Sequence, residues 1–305
     1  MIPLAPREFV RSPEASAARF TAAEAEAYTR RLATHHYENF QVVSFLLPKR
    51  LHQDFYNVYA YCRWADDLGD EMGSREESLR LLAWWRTQLA GMYAGETTHP
   101  VFVALRGTVV RYAIPEEPFA DLIRAFEQDQ TVTRYQTWAD VYAYCRYSAN
   151  PVGRLVLYLC GYSDAGRQRL SDATCTALQL ANFWQDVAVD LEKDRVYIPL
   201  EVLARHRYPL EDLYARRMTP AFGAVMREIV ARARELFVEG LPLSSMVGRR
   251  LALDIDLFSR GGLRVLDKIA AQGYDVLSRR PAISTAERVC LLLGSLARVA
   301  MLRAA

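Results

Sequence analysis

Two stretches of the chain collect carboxylates at a spacing that a helix has no intrinsic reason to choose. In YAYCRWADDLGDE, Tyr59 to Glu71, a helical register puts Asp66 and Asp70 on one face and Asp67 and Glu71 on the adjacent one. Like charges four residues apart repel, and a bound divalent cation reverses the sign of that interaction. A pair of carboxylates alone rarely holds Mg²⁺ on a substrate, so a second acidic helix is expected. LQLANFWQDVAVDLEKDRVYIP supplies it, with Asn182, Asp186 and Asp190 in register at i, i+4 and i+8. The metal-ligating set read from spacing is Asp66, Asp67, Asp70, Asp186 and Asp190. Asn182 serves as a neutral oxygen ligand or an orienting group.

The elements that must carry these stripes are helices. Gly (15) and Pro (13) are sparse for 305 residues, which favours long helices over strands and turns. Thr21 with Glu24, Ser74 with Glu77 and Ser284 with Glu287 are capping-box pairs that open helices. Phe55, Val58, Tyr59 and Cys62 form an inward face of the first acidic helix, which runs from Arg50 to Asp70. A long helix from Thr137 to Gly161 is expected to kink at Asn150-Pro151, and the second acidic helix to run from about Ser171 to Glu192. Residues 1–20 read as a loose leader, with Pro3, Pro6 and Pro13 discouraging helix. Alternating strand patterns, GxGxxG and P-loop motifs are absent from the sequence. The reading is all-α, with residues 1–305 as one domain.

Composition excludes several classes of function. The 38 Lys and Arg against 36 Asp and Glu leave a net charge of +2, so no broad basic surface for nucleic acid is expected. Five cysteines without a CxxC pair read as reduced intracellular thiols and place the chain in the cytoplasm. The five histidines lack metal-ligand spacing and read as structural or exposed. The N-terminus lacks a signal-peptide core, and Val289 to Ala297 is too short to span a bilayer. An apolar substrate would still give the chain a reason for peripheral contact with a membrane.

Three motifs in order carry a family resemblance over about Tyr37 to Arg298. YAYCRWADDLGD, YAYCRYSANPVGRLVLYL and NFWQDVAVDLEKDRVYIP resemble the squalene and phytoene synthases, which join prenyl diphosphates head to head. The chain has Gln185 where that family commonly has Arg, Val189 where it has Glu, and Asn150-Pro151 in place of the usual Gly and its neighbour. These departures resemble the bacterial hopanoid-pathway branch, whose hydroxysqualene synthases act on presqualene diphosphate. The resemblance implies an isoprenoid synthase helical bundle around a central cavity. It also implies Mg²⁺, more than one ion, a prenyl diphosphate substrate (farnesyl or presqualene diphosphate), and partner enzymes in the same pathway. No nicotinamide fingerprint accompanies it.

A diphosphate adds requirements of its own. Arg63, three residues before Asp66, together with Arg195 and Arg280, is expected to bind it. Lys193 reads as a solvated charge. Tyr59, Tyr144, Asp66, Asp70 and Asp186 are the catalytic set, with aromatic faces available to a carbocation. Phe40, Tyr147, Asn150 and Gln185 line the expected pocket, Tyr37 is a further aromatic near the motifs, and Asn150 is a candidate holder of the water that captures the final cation. The expected reaction is presqualene diphosphate to hydroxysqualene with release of diphosphate. The alternatives are a complete synthase making squalene, dehydrosqualene or phytoene from farnesyl or geranylgeranyl diphosphate, and a non-catalytic helical scaffold that binds lipid.

Overall fold

The structure is a computed structural model that describes residues 5–35 and 48–301. Within them the chain is helical throughout, without a strand; Arg134 and Val196 form an isolated bridge. The helices are α1 Pro6–Phe9, α2 Pro13–Ala17, α3 Ala22–His35, α4 His52–Asp70, α5 Arg75–Ala94, α6 Pro100–Tyr112, α7 Glu117–Asp129 and α8 Trp138–Ser148. They continue as α9 Asn150–Leu159, α10 Ala165–Gln185, α11 Val187–Glu192, α12 Leu200–Arg205, α13 Leu210–Tyr214, α14 Pro220–Gly240, α15 Arg249–Ala271 and α16 Thr285–Met301. None of the described helices is long and apolar enough to cross a membrane.

The chain divides into two compact units. The first holds the residues up to Thr131 together with Arg154–Ser163. Its core is aromatic: Trp64 stacks on Trp85 at 5.1 Å and 8°, and Tyr61 meets Phe119 edge-on at 4.9 Å. Pro6 and Pro13, expected to discourage helix, instead occupy the first positions of α1 and α2, where the missing N–H has no helical partner to lose. That short N-terminal turn seats the buried Phe9 ring 5.1 Å from Trp64 and 4.7 Å from His99.

The second unit holds Val132–Gly153 and the chain from Asp164 onward. Here α10 packs along α14 and α15. Trp184, Phe222 and Phe237 are fully buried in its core. Close approach decides two glycines. A Cβ on Gly262 would lie 2.1 Å from the Phe237 ring, and one on Gly153 would lie 2.4 Å from Ser171 Oγ. Both contacts are far inside van der Waals distance, so helices meet there only because the side chain is absent.

Two of the expected capping boxes are complete. Thr21 and Ser284 each accept from the backbone N–H three residues on, while Glu24 and Glu287 accept from the N-cap backbone. At Ser74 only half forms, because the Glu77 carboxylate takes the Gly73 N–H instead. A further complete box, Thr137 with Asp140, opens α8. The expected kink is a break: Ala149 separates α8 from α9, with Pro151 in the first turn of α9.

Candidate active site

One acidic cluster is a property of a single helix in the first unit. On α4 the Arg63 guanidinium faces three carboxylates of its own turn and the next. It lies 3.4 Å from Asp66, 2.5 Å from Asp67 and 3.0 Å from Glu71. The Asp67 contact is close but not aligned as a hydrogen bond, which leaves Asp67 Oδ1 buried without a hydrogen-bond donor. Burial pushes the Asp67 carboxyl up to about 7, against the pull of the Arg63 charge. Asp66 is partly open to solvent and Asp70 is exposed. Tyr59, one turn earlier, is half-buried, and that burial raises its phenol. The end of the helix is fixed from outside. Gly69 O accepts from both Ser78 Oγ and Gln130 Nε2, each at 3.1 Å. The last carbonyls of a helix have no partner within it, and these donors supply one.

A second acidic cluster lies in the second unit. The acidic stripe there is not one helix, as its register suggests. Asp186 has φ −107° and ψ 13°, and it ends α10 and begins α11. The break keeps its backbone bonds: Asp186 N donates to Asn182 O at 2.9 Å and Asp190 N to Asp186 O at 2.8 Å. The helix bends without unravelling. Asn182 is exposed, Asp190 is half-buried, and the Asp186 side chain is largely covered. Burial pushes Asp190 up to about 7, and the neighbouring Asp186 charge adds to the effect. Arg195 and Lys193 act in the opposite direction on the same carboxyl.

Arg280 joins this second cluster. Its Nε and Nη2 donate to the two oxygens of Asp186, a forked pair across 94 residues of sequence. Gln185 Nε2 donates to Pro281 O at 2.5 Å and ties the segment carrying Arg280 to the end of α10. Tyr144 is buried in an aromatic box in the same unit, 5.5 Å from Tyr135, 6.1 Å from Phe183 and 5.8 Å from Tyr197. Phe183 and Tyr197 stack face to face at 3.7 Å. The segment bearing Arg195 and Tyr197 is held by main-chain bonds, Val196 N to Thr133 O and Leu200 N to Tyr135 O, both 2.9 Å.

Other expected pocket residues have explicit surroundings. Asn150 is buried and its Oδ1 accepts from Thr176 Oγ1 at 2.9 Å. Tyr147 carries the Arg146 guanidinium 5.8 Å above its ring. Phe40 and Tyr37 lie outside the described residues. Tyr135, Phe183 and Tyr197, which surround Tyr144, were not singled out by spacing. The signal for them was the motif RVYIP itself, which returns a tyrosine to the box two residues after Arg195.

The donor chemistry fits a hard divalent cation. Every candidate ligand is a carboxylate or amide oxygen. Among the described residues no three His, Cys, Asp or Glu side chains form a ready ligand group.

The all-helical architecture is that of the helical isoprenoid synthases, a class of metal-dependent enzymes that act on prenyl diphosphates. The chain belongs to the squalene/phytoene synthase family, whose sequence model matches residues 33–287. A phytoene synthase of Thermus thermophilus is 34% identical over 258 residues, covering 84% of this chain and 87% of that one. A hydroxysqualene synthase of Rhodopseudomonas palustris is also 34% identical, over 266 residues, covering 86% and 89%. The crystal structure of squalene synthase HpnC from Alicyclobacillus acidocaldarius superposes with a TM-score of 0.81 at 45% identity, covering 83% of this chain and 96% of that one.

Proposed function

We propose that this enzyme ionises presqualene diphosphate and captures the rearranged cation with water, giving hydroxysqualene and free diphosphate. The observation that carries this reading is the state of Gln185. Where the family resemblance expects a cation, the chain has an amide, and its Nε2 is engaged by the Pro281 carbonyl. One positive group that would serve a second diphosphate is thereby lost, and Arg280 is instead positioned on Asp186. Similarity to the Rhodopseudomonas palustris hydroxysqualene synthase and to HpnC supports the same branch.

The chain's own groups divide the work. Arg63, Arg195 and Arg280 are cations that accept the departing diphosphate, with Arg63 and Arg280 exchanging their present carboxylate partners for phosphate oxygens. Asp66, Asp67, Asp70, Asp186 and Asp190, with Asn182, would hold Mg²⁺, which supplies charge neutralisation of the leaving group when bound. The Tyr144 box presents ring faces, whose quadrupoles stabilise a carbocation and whose burial keeps water from intercepting it early. When water attacks, its oxygen bonds to the cationic carbon and one proton leaves to solvent, so the product is a neutral alcohol.

A complete synthase is the second reading, favoured by the equal identity to the Thermus thermophilus phytoene synthase. Paired incubations with Mg²⁺, one with farnesyl and one with presqualene diphosphate, separate the two by mass spectrometry of products. We expect alcohol from presqualene diphosphate and no turnover of farnesyl diphosphate. A C30 hydrocarbon from farnesyl diphosphate would replace the proposal with the complete synthase. Inactivity on both, and on geranylgeranyl diphosphate, would sink the enzymatic reading.

A further inference from the structure

The turn that ends α11 carries an aspartate where its backbone favours glycine. Arg195 N donates to Asp190 O at 2.9 Å, and Asp194 N donates to Leu191 O at 3.1 Å. This is the paired closure of a Schellman cap, which puts the residue just past the helix in the left-handed region. That residue is Asp194, with φ 55°. Glycine adopts this conformation without a side-chain penalty, and an aspartate does not.

The carboxylate at this position has work. Arg134 Nη2 donates to Asp194 Oδ1 at 2.5 Å, and Tyr214 Oη donates to the same oxygen at 2.8 Å. Arg134 Nη1 donates to the Asp194 carbonyl and, at 2.7 Å, to the Thr133 carbonyl. The same guanidinium lies over the Tyr214 ring, 5.4 Å from its centroid. Two residues beyond Tyr214, Arg216 Nη2 donates to Ala188 O at 3.1 Å and to Glu192 at 2.8 Å. All of these residues belong to the second unit. The end of α11 is therefore gripped from two segments, one at Thr133 and Arg134 and the other at Tyr214 and Arg216.

Stability gives little reason for this grip. The Asp194 side chain is 72% exposed, and an ion pair with an exposed partner is worth little in water. What the grip fixes is direction. Asp194 stands between Asp190, a candidate Mg²⁺ ligand, and Arg195, which follows it immediately. The Asp190 carbonyl holds the Arg195 N–H, and the Arg195 charge acts on the Asp190 carboxyl. A left-handed residue held at both its carbonyl and its carboxylate leaves the next peptide one course.

We propose that Arg134 and Asp194 are positioning residues for diphosphate binding, locking the turn after α11 so that Arg195 is presented beside Asp190. This role presupposes that Arg195 binds the diphosphate, as proposed for the reaction. Arg134 and Asp194 act through Arg195 and do not themselves touch the reacting atoms.

The test is calorimetric titration of inorganic diphosphate into the full chain at fixed Mg²⁺. The parent should bind, and Arg134→Ala and Asp194→Gly should each raise Kd about tenfold. The two substitutions change the local charge in opposite directions. Charge alone would weaken binding in the first and tighten it in the second, because losing an anion favours an anionic ligand. A loss in both is the mark of positioning. Glycine suits φ 55°, so the circular dichroism and thermal midpoint of Asp194→Gly should match the parent. In an Arg195→Ala background neither substitution should weaken binding further. Unchanged or tighter binding by Asp194→Gly, or an undiminished effect in the Arg195→Ala background, would overturn the positioning role while leaving the proposed reaction standing. A parent that does not bind diphosphate with Mg²⁺ would sink the diphosphate reading of Arg195, and the positioning role with it.

Discussion

The two acidic clusters, one in each unit, reach a similar chemical state by different routes. In the first unit a single helix is self-sufficient: Arg63 faces Asp66, Asp67 and Glu71, all within eight residues. In the second unit Asp186 takes its cation from Arg280, 94 residues further along the chain, and Gln185 fastens that returning segment through Pro281. Each cluster also contains one carboxyl, the buried Asp67 or the half-buried Asp190, that desolvation pushes up to about 7. A local motif needs only helical spacing, whereas a distant pair needs the chain to come back and be held. The first should therefore resist perturbation elsewhere, and the second should fail when its fastening is removed.

Removing the acids themselves should have the largest effect. Replacing Asp66→Asn with Asp70→Asn should lower turnover about a thousandfold or more, because the carboxylates that would hold the charge-neutralising Mg²⁺ are then lost. Near-normal steady-state turnover would break the enzymatic reading of the first-unit cluster. Added chelator should abolish parent turnover to a similar degree, and Mg²⁺ should restore it.

The two arginines should then separate the clusters. Arg280→Ala should cost about a hundredfold in kcat, with little loss of stability, because its partly exposed pair contributes at most about 1 kcal/mol. Arg63→Ala should lose turnover and also about 1–3 kcal/mol of stability, since Asp67 is buried and would be left with like charges. Denaturant melts with matched kinetics measure both. Equal stability losses at the two positions would erase the contrast. Arg280→Lys should recover little, because an ammonium cannot reproduce the forked contact with both Asp186 oxygens.

Gln185→Ala probes the fastening. The hydrogen bond to Pro281 O is worth about 1 kcal/mol, so loosening it should reduce kcat about tenfold through Arg280 without abolishing it. A larger fall in an Arg280→Ala background than in the parent would show that Gln185 acts by some other route, and a double-mutant cycle reads this directly.

The smallest effect concerns a buried acid outside the site. Among the described residues neither oxygen of Asp254 on α15 has a hydrogen-bond partner, and burial pushes its carboxyl up to about 8. The folded state therefore keeps a proton that the unfolded chain has released above the ordinary carboxylate pKa of about 4. Stability should fall as pH rises from about 4 to about 8 and level off beyond. Asp254→Asn removes that penalty. It should raise stability by about 1 kcal/mol or more at pH 8.5 and by less at pH 5.5, read as paired thermal melts. A gain that does not grow with pH would show that Asp254 is charged in the folded state.

Sequence reading went furthest where the physics is local. The all-helical class, the capping boxes at Thr21 and Ser284, the interruption near Asn150-Pro151 and the Arg63 cluster all follow from relations within about one or two helical turns. The bend at Asp186 was not legible. Its register at i, i+4 and i+8 suits a straight helix, and only packing in the second unit reveals that the chain turns there. Asn150 showed the same limit, since its partner Thr176 lies 26 residues away.

The sequence by itself determined the all-helical class and which polar groups share a helical register, such as Arg63 with Asp66 and Asp67. Tertiary structure alone decided their company. It alone set Arg280 on Asp186, enclosed Tyr144 with Tyr135, Phe183 and Tyr197, and turned the apolar side of α16 outward. The reason is that helical spacing sets which residues share a face. What that face meets depends on contacts between segments far apart in the chain, and no local pattern encodes those.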